Sequence, residues 1–236
     1  MNTALKIISL LLSYPSEEFR TAMPELKAAL DSAGIGKRET SMLKRLADDI
    51  AALDLYDAQE RYVFLFDRTR SLSLHLFEHV HGESRDRGQA MVDLMQMYEA
   101  DGFEIDAKEL PDYLPMFLEY LSVKPAGEAS ELLGQTVHIV AALRERLKKR
   151  KSVYANAFTV LEAMARGKPD AALLAELLDA PEDNPEDLEA LDRVWEEEAV
   201  TFGGNAGENA CGPDRLQRQI RASNRKPADM TQAPNA

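Results

Sequence analysis

The chain has 236 residues, with 28 Lys or Arg against 41 Asp or Glu, so its formal net charge is −13. This balance argues against a nucleic-acid-binding protein, because phosphate contacts require clustered basic side chains. A single cysteine, Cys211, excludes an internal disulfide framework and any multi-cysteine metal centre. No apolar run approaches the length of a membrane-spanning helix. We therefore expect a cytoplasmic protein that binds no nucleic acid and does not insert directly into a membrane.

Apolar periodicity predicts an all-α fold from about residue 4 to residue 200. Leu5, Ile8 and Leu12 share one face of a first helix that should end before Pro15. A second helix is expected to be interrupted near Pro24, and a third to run from about residue 40 to 53. Asp57 is the expected N-cap of a fourth.

The second half of the chain is also predicted to be helical, after an ambiguous stretch at 71–82. Helices are expected at about 84–101 and from Pro111 to residue 121. One long helix should follow Gly127 and end in the basic run at 144–151. Two more are expected at about 153–166 and 170–179, and a last one carries Leu188 to Trp195.

The composition changes at residue 203 and indicates the domain organisation. Residues 203–236 are rich in Gly, Asn, Pro and Gln and carry five basic and three acidic side chains, which leaves −15 on residues 1–202. The low apolar content predicts a disordered C-terminal tail. We expect a single compact helical domain over residues 1–202.

The densest polar segment, residues 68–89, contains three of the four histidines. If Leu74 to Val80 is helical, His75 and His79 lie one turn apart, which is the spacing of a metal-binding pair. His81 and Asp86 would complete a site that activates water, as in an all-helical metal-dependent hydrolase. No complete catalytic signature supports this alternative, and Gly82 interrupts the helix that it needs.

The same segment permits a second interpretation, as the wall of a binding groove. Its charged residues alternate with large apolar ones, Leu72, Leu74, Leu76 and Phe77. An apolar floor with a charged rim suits an amphipathic peptide. Local pairing of the charges within a loop remains the simpler alternative.

Three blocks of sequence resemble one known family. Residues 67–70 (DRTR) with 73–91 (SLHLFEHVHGESRDRGQAM) are similar to the signature of the NarJ-type chaperones, the delta subunits that assemble respiratory nitrate reductase. Residues 109–115 (ELPDYLP) with 117–121 (FLEYL) resemble the second block of that family, and residues 194–198 (VWEEE) the third. The resemblance runs from the first helix to about residue 202.

The resemblance implies an all-helical domain related to the TorD and DmsD chaperones, with no catalytic activity. Such a protein binds the N-terminal segment of the apo catalytic (alpha) subunit of nitrate reductase. It promotes insertion of the molybdenum cofactor, which belongs to the client, and permits docking to the membrane anchor only afterwards. The chaperone itself is expected to hold no cofactor or metal.

The resemblance also suggests where the client binds. The first two blocks match the family most closely and mix apolar with charged side chains, so we expect them to form one site. The expected client-binding residues are Asp67, Arg68, Arg70, Leu74, Phe77, Glu78, His79, His81, Glu83, Arg85, Asp86, Arg87, Asp112, Tyr113 and Glu119.

Overall fold

The structure is a computed structural model that describes residues 2–80, 85–105 and 109–180, with the side chain of Arg85 left out. These residues form eleven α-helices and one 3₁₀ turn, and no strand occurs among them. None of the described helices is long and apolar enough to cross a membrane. The helices are α1 (Thr3–Leu11), α2 (Glu17–Asp31), α3 (Lys37–Ala52), α4 (Leu55–Phe66), α5 (Leu76–Val80), α6 (Arg85–Ala100), α7 (Leu114–Val123), α8 (Ala126–Gln135), α9 (Val137–Lys149), α10 (Ala155–Met164) and α11 (Ala171–Asp179), and the 3₁₀ turn is Arg70–Leu72.

Helix α1 lies at the centre of the packing, as its apolar sequence predicts. It packs against α7 and α2, and also contacts α3 and α10. The predicted inward residues Leu5, Ile8 and Leu12 are buried, and α9 and α10 pack together to extend the same core. Burial of a Leu or Ile side chain stabilises a fold by about 1.5–3 kcal/mol. The prediction of an all-α fold is confirmed.

Two local predictions in the first half are wrong. The N-cap of α4 is Asp54, whose carboxylate accepts the Asp57 N–H at 2.9 Å, so Asp57 lies in the first turn instead. Acidic residues are favoured both at the N-cap and in the first turn of a helix, so Asp54 and Asp57, about one turn apart, were both compatible with the N-cap position. Helix α2 runs through Pro24 without interruption. Pro24 lies on the exposed face of α2, where water can reach a carbonyl that loses its helical partner.

The predicted long helix is two helices, α8 and α9, which meet at Thr136. The Thr136 hydroxyl donates to the Leu133 carbonyl at 3.0 Å and closes the end of α8. Close packing explains the glycine nearby, because a Cβ at Gly134 would lie only 2.4 Å from the Arg166 carbonyl oxygen. The Arg166 N–H donates to the Ser130 carbonyl at 2.8 Å, which holds this approach in place. Periodicity alone does not reveal such a break.

A buried arginine holds the polar segment against the rest of the fold. Arg146 on α9 is almost fully buried and donates to the Ser71 carbonyl at 2.7 Å and to the Leu177 carbonyl at the end of α11. Charge-assisted bonds to two carbonyls compensate the loss of water around the guanidinium. Arg146 therefore joins the 3₁₀ turn, α9 and α11.

The described residues all lie within one unit of the chain, Met1–Asp192. The expected last helix at Leu188 to Trp195 and the tail at 203–236 fall outside the described residues. The boundary at residue 202 stays a prediction.

Candidate functional site

The two sequence blocks of the expected site lie side by side. The Leu76 N–H donates to the Asp112 carbonyl at 3.0 Å, and the Leu114 N–H donates to the Leu74 carbonyl at 2.8 Å. These bonds form an isolated antiparallel bridge between His75 and Tyr113. Residues separated by more than thirty positions in the sequence are thus brought into one structure.

Asp112 fixes this arrangement from inside. Its side chain is 0% exposed, accepts the Phe77 N–H at 3.0 Å and lies 3.1 Å from Nδ1 of His75. Burial by itself lowers the pKa of His75, but the hydrogen bond and the charge of Asp112 outweigh it and raise that pKa. The buried carboxylate is compensated by these two donors, so its role in the structure is to position the segment.

Other expected site residues also serve the scaffold. His79 presents Nε2 to the Ser73 carbonyl at 2.8 Å, and burial lowers the pKa of its imidazole. Leu74 is buried in the core, and Phe77 is half-buried against it. Glu78 accepts a bond from Arg87 at 3.3 Å. These contacts lie within the segment and give it its shape.

A groove of about 350 Å³ opens beside this scaffold, and we call it the α1–α7 groove. Ser9 of α1 and Ser13, just after that helix, form one side, and Pro115 and Met116 at the start of α7 form another. The Ser9 hydroxyl donates to the Pro115 carbonyl at 2.7 Å and closes the floor between the two helices. The remaining lining residues are Phe103, Glu104, Ile105, Glu109, Tyr113 and Glu119.

The rim of the α1–α7 groove is acidic. Glu119 pairs with Lys6 of α1, whereas no ion pair joins Glu104 or Glu109 to a cation among the described residues. Burial raises the pKa of Tyr113 to about 12, with a further contribution from the Glu109 charge. Burial and the same Glu109 charge raise the pKa of Asp67. The groove therefore combines an apolar floor with negative potential at its edge.

A pair of tyrosine hydroxyls holds one wall of the groove. The Tyr62 hydroxyl lies 2.7 Å from that of Tyr113 and donates to the Leu12 carbonyl at 2.9 Å. The Tyr113 ring is thereby tied to α4 and to the end of α1. These bonds hold this wall of the groove in place without a partner.

Those expected site residues that the structure describes lie in several places. Tyr113 and Glu119 line the α1–α7 groove, Arg68 lines a different cavity, and Asp67, Arg70 and Asp86 are exposed. His81 and Glu83, together with the side chain of Arg85, lie outside the described residues.

Several lining residues were missed from the sequence. Phe103, Glu104 and Ile105 follow Gly102, which lies just after the end of α6 and has φ +71°. The alternation of apolar and acidic side chains in this short stretch was the available signal. A second signal in the sequence was Ser9, a polar residue on the buried face of α1.

The histidine spacing expected for a metal site does not form. Helix α5 begins at Leu76, so His75 lies in the bridge with Tyr113 and not one helical turn before His79. The two imidazoles have different partners, Asp112 and the Ser73 carbonyl. Across the described residues, no group of three or more His, Cys, Asp or Glu side chains is placed to hold a metal ion.

Comparisons with known proteins identify the family. Residues 14–160 match the family model described as the nitrate reductase delta subunit. The nitrate reductase molybdenum cofactor assembly chaperone NarJ of Escherichia coli (strain K12) is 44% identical over 215 residues, covering 90% of this chain and 89% of that protein. A second relative in the same strain, the probable nitrate reductase molybdenum cofactor assembly chaperone NarW, is 42% identical over 198 residues. The match covers 84% of this chain and 83% of that protein.

A solved structure shares the fold. The crystal structure of a redox enzyme maturation protein from Archaeoglobus fulgidus superposes with a TM-score of 0.50 at 20% identity, covering 69% of this chain and 92% of that one. The family match and the relatives at more than 40% identity place the protein: the chain belongs to the nitrate reductase delta subunit family.

Proposed function

We propose that this protein is a nitrate reductase molybdenum cofactor assembly chaperone that acts in the cytoplasm and has no catalytic activity of its own. NarJ matches 90% of this chain and NarW matches 84% of it, which supports a role in assembly for the whole described domain. Its partner is the nitrate reductase catalytic subunit. The molybdenum cofactor belongs to that client, and the chaperone keeps the client in a state that accepts it.

We further propose that the N-terminal segment of the apo catalytic subunit binds in the α1–α7 groove as a basic amphipathic helix. The observation that carries this proposal is that the exposed carboxylates Glu104 and Glu109 line the same groove as Phe103 and Ile105, which pack against the core. Such a surface favours a helix that has apolar side chains on one face and Lys or Arg beside them.

The apolar contacts are expected to dominate the affinity. Three or four apolar anchors contribute about 1.5–3 kcal/mol each when buried. Exposed ion pairs contribute about 0.2–1 kcal/mol each and are screened by salt. The carboxylates therefore act mainly on the rate of encounter and on orientation, and the floor determines how long the client stays bound.

Co-purification tests both parts of the proposal. The full-length chaperone should capture the apo catalytic subunit, and deletion of the client's N-terminal segment should greatly reduce capture. Ile105→Asp places a charge in the floor of the groove and should have the same effect. Leu173→Asp, at an exposed position on α11, is the matched control and should leave capture unchanged.

Two outcomes would contradict the proposal at different levels. If the chaperone captures mature and apo subunits equally well, it is an adaptor and not an assembly chaperone. If it captures only the apo subunit but Ile105→Asp has no effect, the function stands and the binding site lies elsewhere.

A further inference from the structure

The α1–α7 groove has a hydrogen-bonding polarity that its composition alone does not reveal. Its polar side chains, among the described residues, are the carboxylates of Glu104, Glu109 and Glu119 and the hydroxyls of Ser9, Ser13 and Tyr113. An ionised carboxylate can only accept hydrogen bonds, whereas a hydroxyl can both donate one and accept others. What the groove offers to a ligand therefore depends on where the three hydroxyl protons go.

Both serine protons are used inside the fold. The Ser9 hydroxyl donates to the Pro115 carbonyl at 2.7 Å, and the Ser13 hydroxyl donates to the Ser9 carbonyl at 2.9 Å. Ser9 is only 2% exposed, so water does not compete for its bond. Each serine oxygen is left with lone pairs alone, which makes it an acceptor towards a ligand.

The proton of the Tyr113 hydroxyl is also used inside the fold. The Tyr62 hydroxyl has one proton, which it donates to the Leu12 carbonyl at 2.9 Å. Tyr113 must therefore be the donor in the 2.7 Å bond between the two tyrosine hydroxyls. Burial raises the pKa of Tyr113 to about 12, with contributions from the charges of Glu109 and Asp67, so the hydroxyl keeps this proton at neutral pH. Its oxygen, like those of the two serines, is left as an acceptor only.

We propose that Tyr113 determines the specificity of the α1–α7 groove by accepting an N–H hydrogen bond from an ammonium or guanidinium group of the client. Such a group, in Lys, in Arg or at a free chain terminus, has donors and no acceptor, so it complements a groove whose described polar side chains all accept. The Lys6 ammonium is held by Glu119 and does not line the groove. A client carboxylate meets no side-chain donor among the described lining residues and is repelled by Glu104 and Glu109. The inference rests on the proposed function, because it concerns the segment that we place in this groove.

Calorimetric titration of the full-length protein separates hydrogen bonding from charge. The probe is the N-terminal peptide of the nitrate reductase catalytic subunit, acetylated and made with lysine, trimethyllysine or norleucine at all of its Lys and Arg positions. Trimethyllysine keeps the positive charge and has no N–H, whereas norleucine lacks both. We expect the lysine form to bind about tenfold more tightly than the trimethyllysine form. A norleucine form with a free N-terminus shows whether the terminal ammonium supplies the donor instead.

Two tyrosine variants assign the hydrogen bond to one acceptor. Tyr113→Phe keeps the ring but not the oxygen, so it should remove most of the difference in affinity between the peptide that supplies the donor and its counterpart without it. Because that ratio is measured within each variant, a general loss of affinity cancels. Tyr56→Phe removes the hydroxyl of an exposed tyrosine that does not line the groove, and it should leave the ratio unchanged.

The outcomes separate this inference from the proposed function. If neither lysine nor a free terminus improves binding over trimethyllysine or acetylated norleucine, the groove recognises no N–H donor and the inference is overturned while the client still binds. The same holds if Tyr113→Phe retains the full ratio. If Ile105→Asp does not weaken binding of the lysine form, or if no form binds, the groove is not the client site and both proposals are overturned.

Discussion

The imidazole of His75 lies 3.1 Å from the carboxylate of Asp112, and this pair joins the two sequence blocks that mark the family. Asp112 is fully buried and His75 is half-buried, so the pair is shielded from solvent on one side only. Glu78 and Glu109 add to the negative potential at the imidazole. The protonated form of His75 is therefore favoured in the folded protein.

This pair predicts a pH-dependent contribution to stability. Because the pKa of His75 is raised on folding, its contribution is fully present below the unfolded value of about 6.5 and is lost as the pH rises through the folded pKa. His79, whose pKa is lowered by burial, acts in the opposite direction, so the wild-type curve alone is not diagnostic. The difference in unfolding free energy between wild type and His75→Asn should shrink as the pH rises from about 6 to about 8. Urea denaturation at several pH values measures it, and a difference that grows with pH would contradict the assignment.

The hydroxyls of Tyr62 and Tyr113 should be energetically coupled. They lie 2.7 Å apart, and Tyr62 also donates to the Leu12 carbonyl. Each single variant, Tyr62→Phe or Tyr113→Phe, removes the bond between the two hydroxyls, so the double variant should lose less stability than the sum of the two single variants. We expect a coupling of about 0.5–1.5 kcal/mol in a double-mutant cycle by chemical denaturation. Strict additivity would show that the two hydroxyls do not interact.

Gly134→Ala tests the close approach that separates α8 from α9. The new methyl would lie 2.4 Å from the Arg166 carbonyl oxygen, and we expect the free energy of unfolding to fall by about 1–3 kcal/mol. Gly127→Ala on the same helix has nothing within 4 Å and serves as the control. It should be neutral or slightly stabilising, since alanine restricts the unfolded chain. Equal effects of the two substitutions would rule out the contact.

Charge reversal at the edge of the α1–α7 groove should weaken client binding. Glu119→Lys breaks the pair with Lys6 and leaves two cations facing a basic segment. We expect a loss of roughly 1 kcal/mol in binding free energy, about fivefold in Kd. The double variant Lys6→Glu with Glu119→Lys restores the ion pair and should recover most of the affinity. Full-strength binding by Glu119→Lys alone would place the client elsewhere.

The sequence predicted what depends on periodicity and on composition. The apolar faces of α1 and α3 are buried where the spacing of Leu5, Ile8, Leu43 and Ile50 places them. Predictions that depend on a single backbone contact were less accurate: the break at Thr136 lies next to the contact of Gly134 with Arg166, which is about thirty residues away in the chain. The two signature blocks lie side by side, and Asp112, His75 and His79 bond within the scaffold, whereas Asp67, Arg70 and Asp86 are exposed. The groove instead takes Phe103 and Ile105 from a non-helical stretch, which no helical pattern could identify.

Calorimetric titration of the client's N-terminal peptide into the full-length chaperone tests the proposed binding mode most directly. Measurements at several temperatures, from about 0.1 M to about 1 M salt, separate apolar burial from screened charge, because the Debye length falls from about 10 Å to about 3 Å. The α1–α7 groove predicts a clearly negative heat-capacity change at every salt concentration and only a modest loss of affinity at the highest. Binding that salt abolishes, with no heat-capacity change, would mean that the acidic surface alone recognises the client.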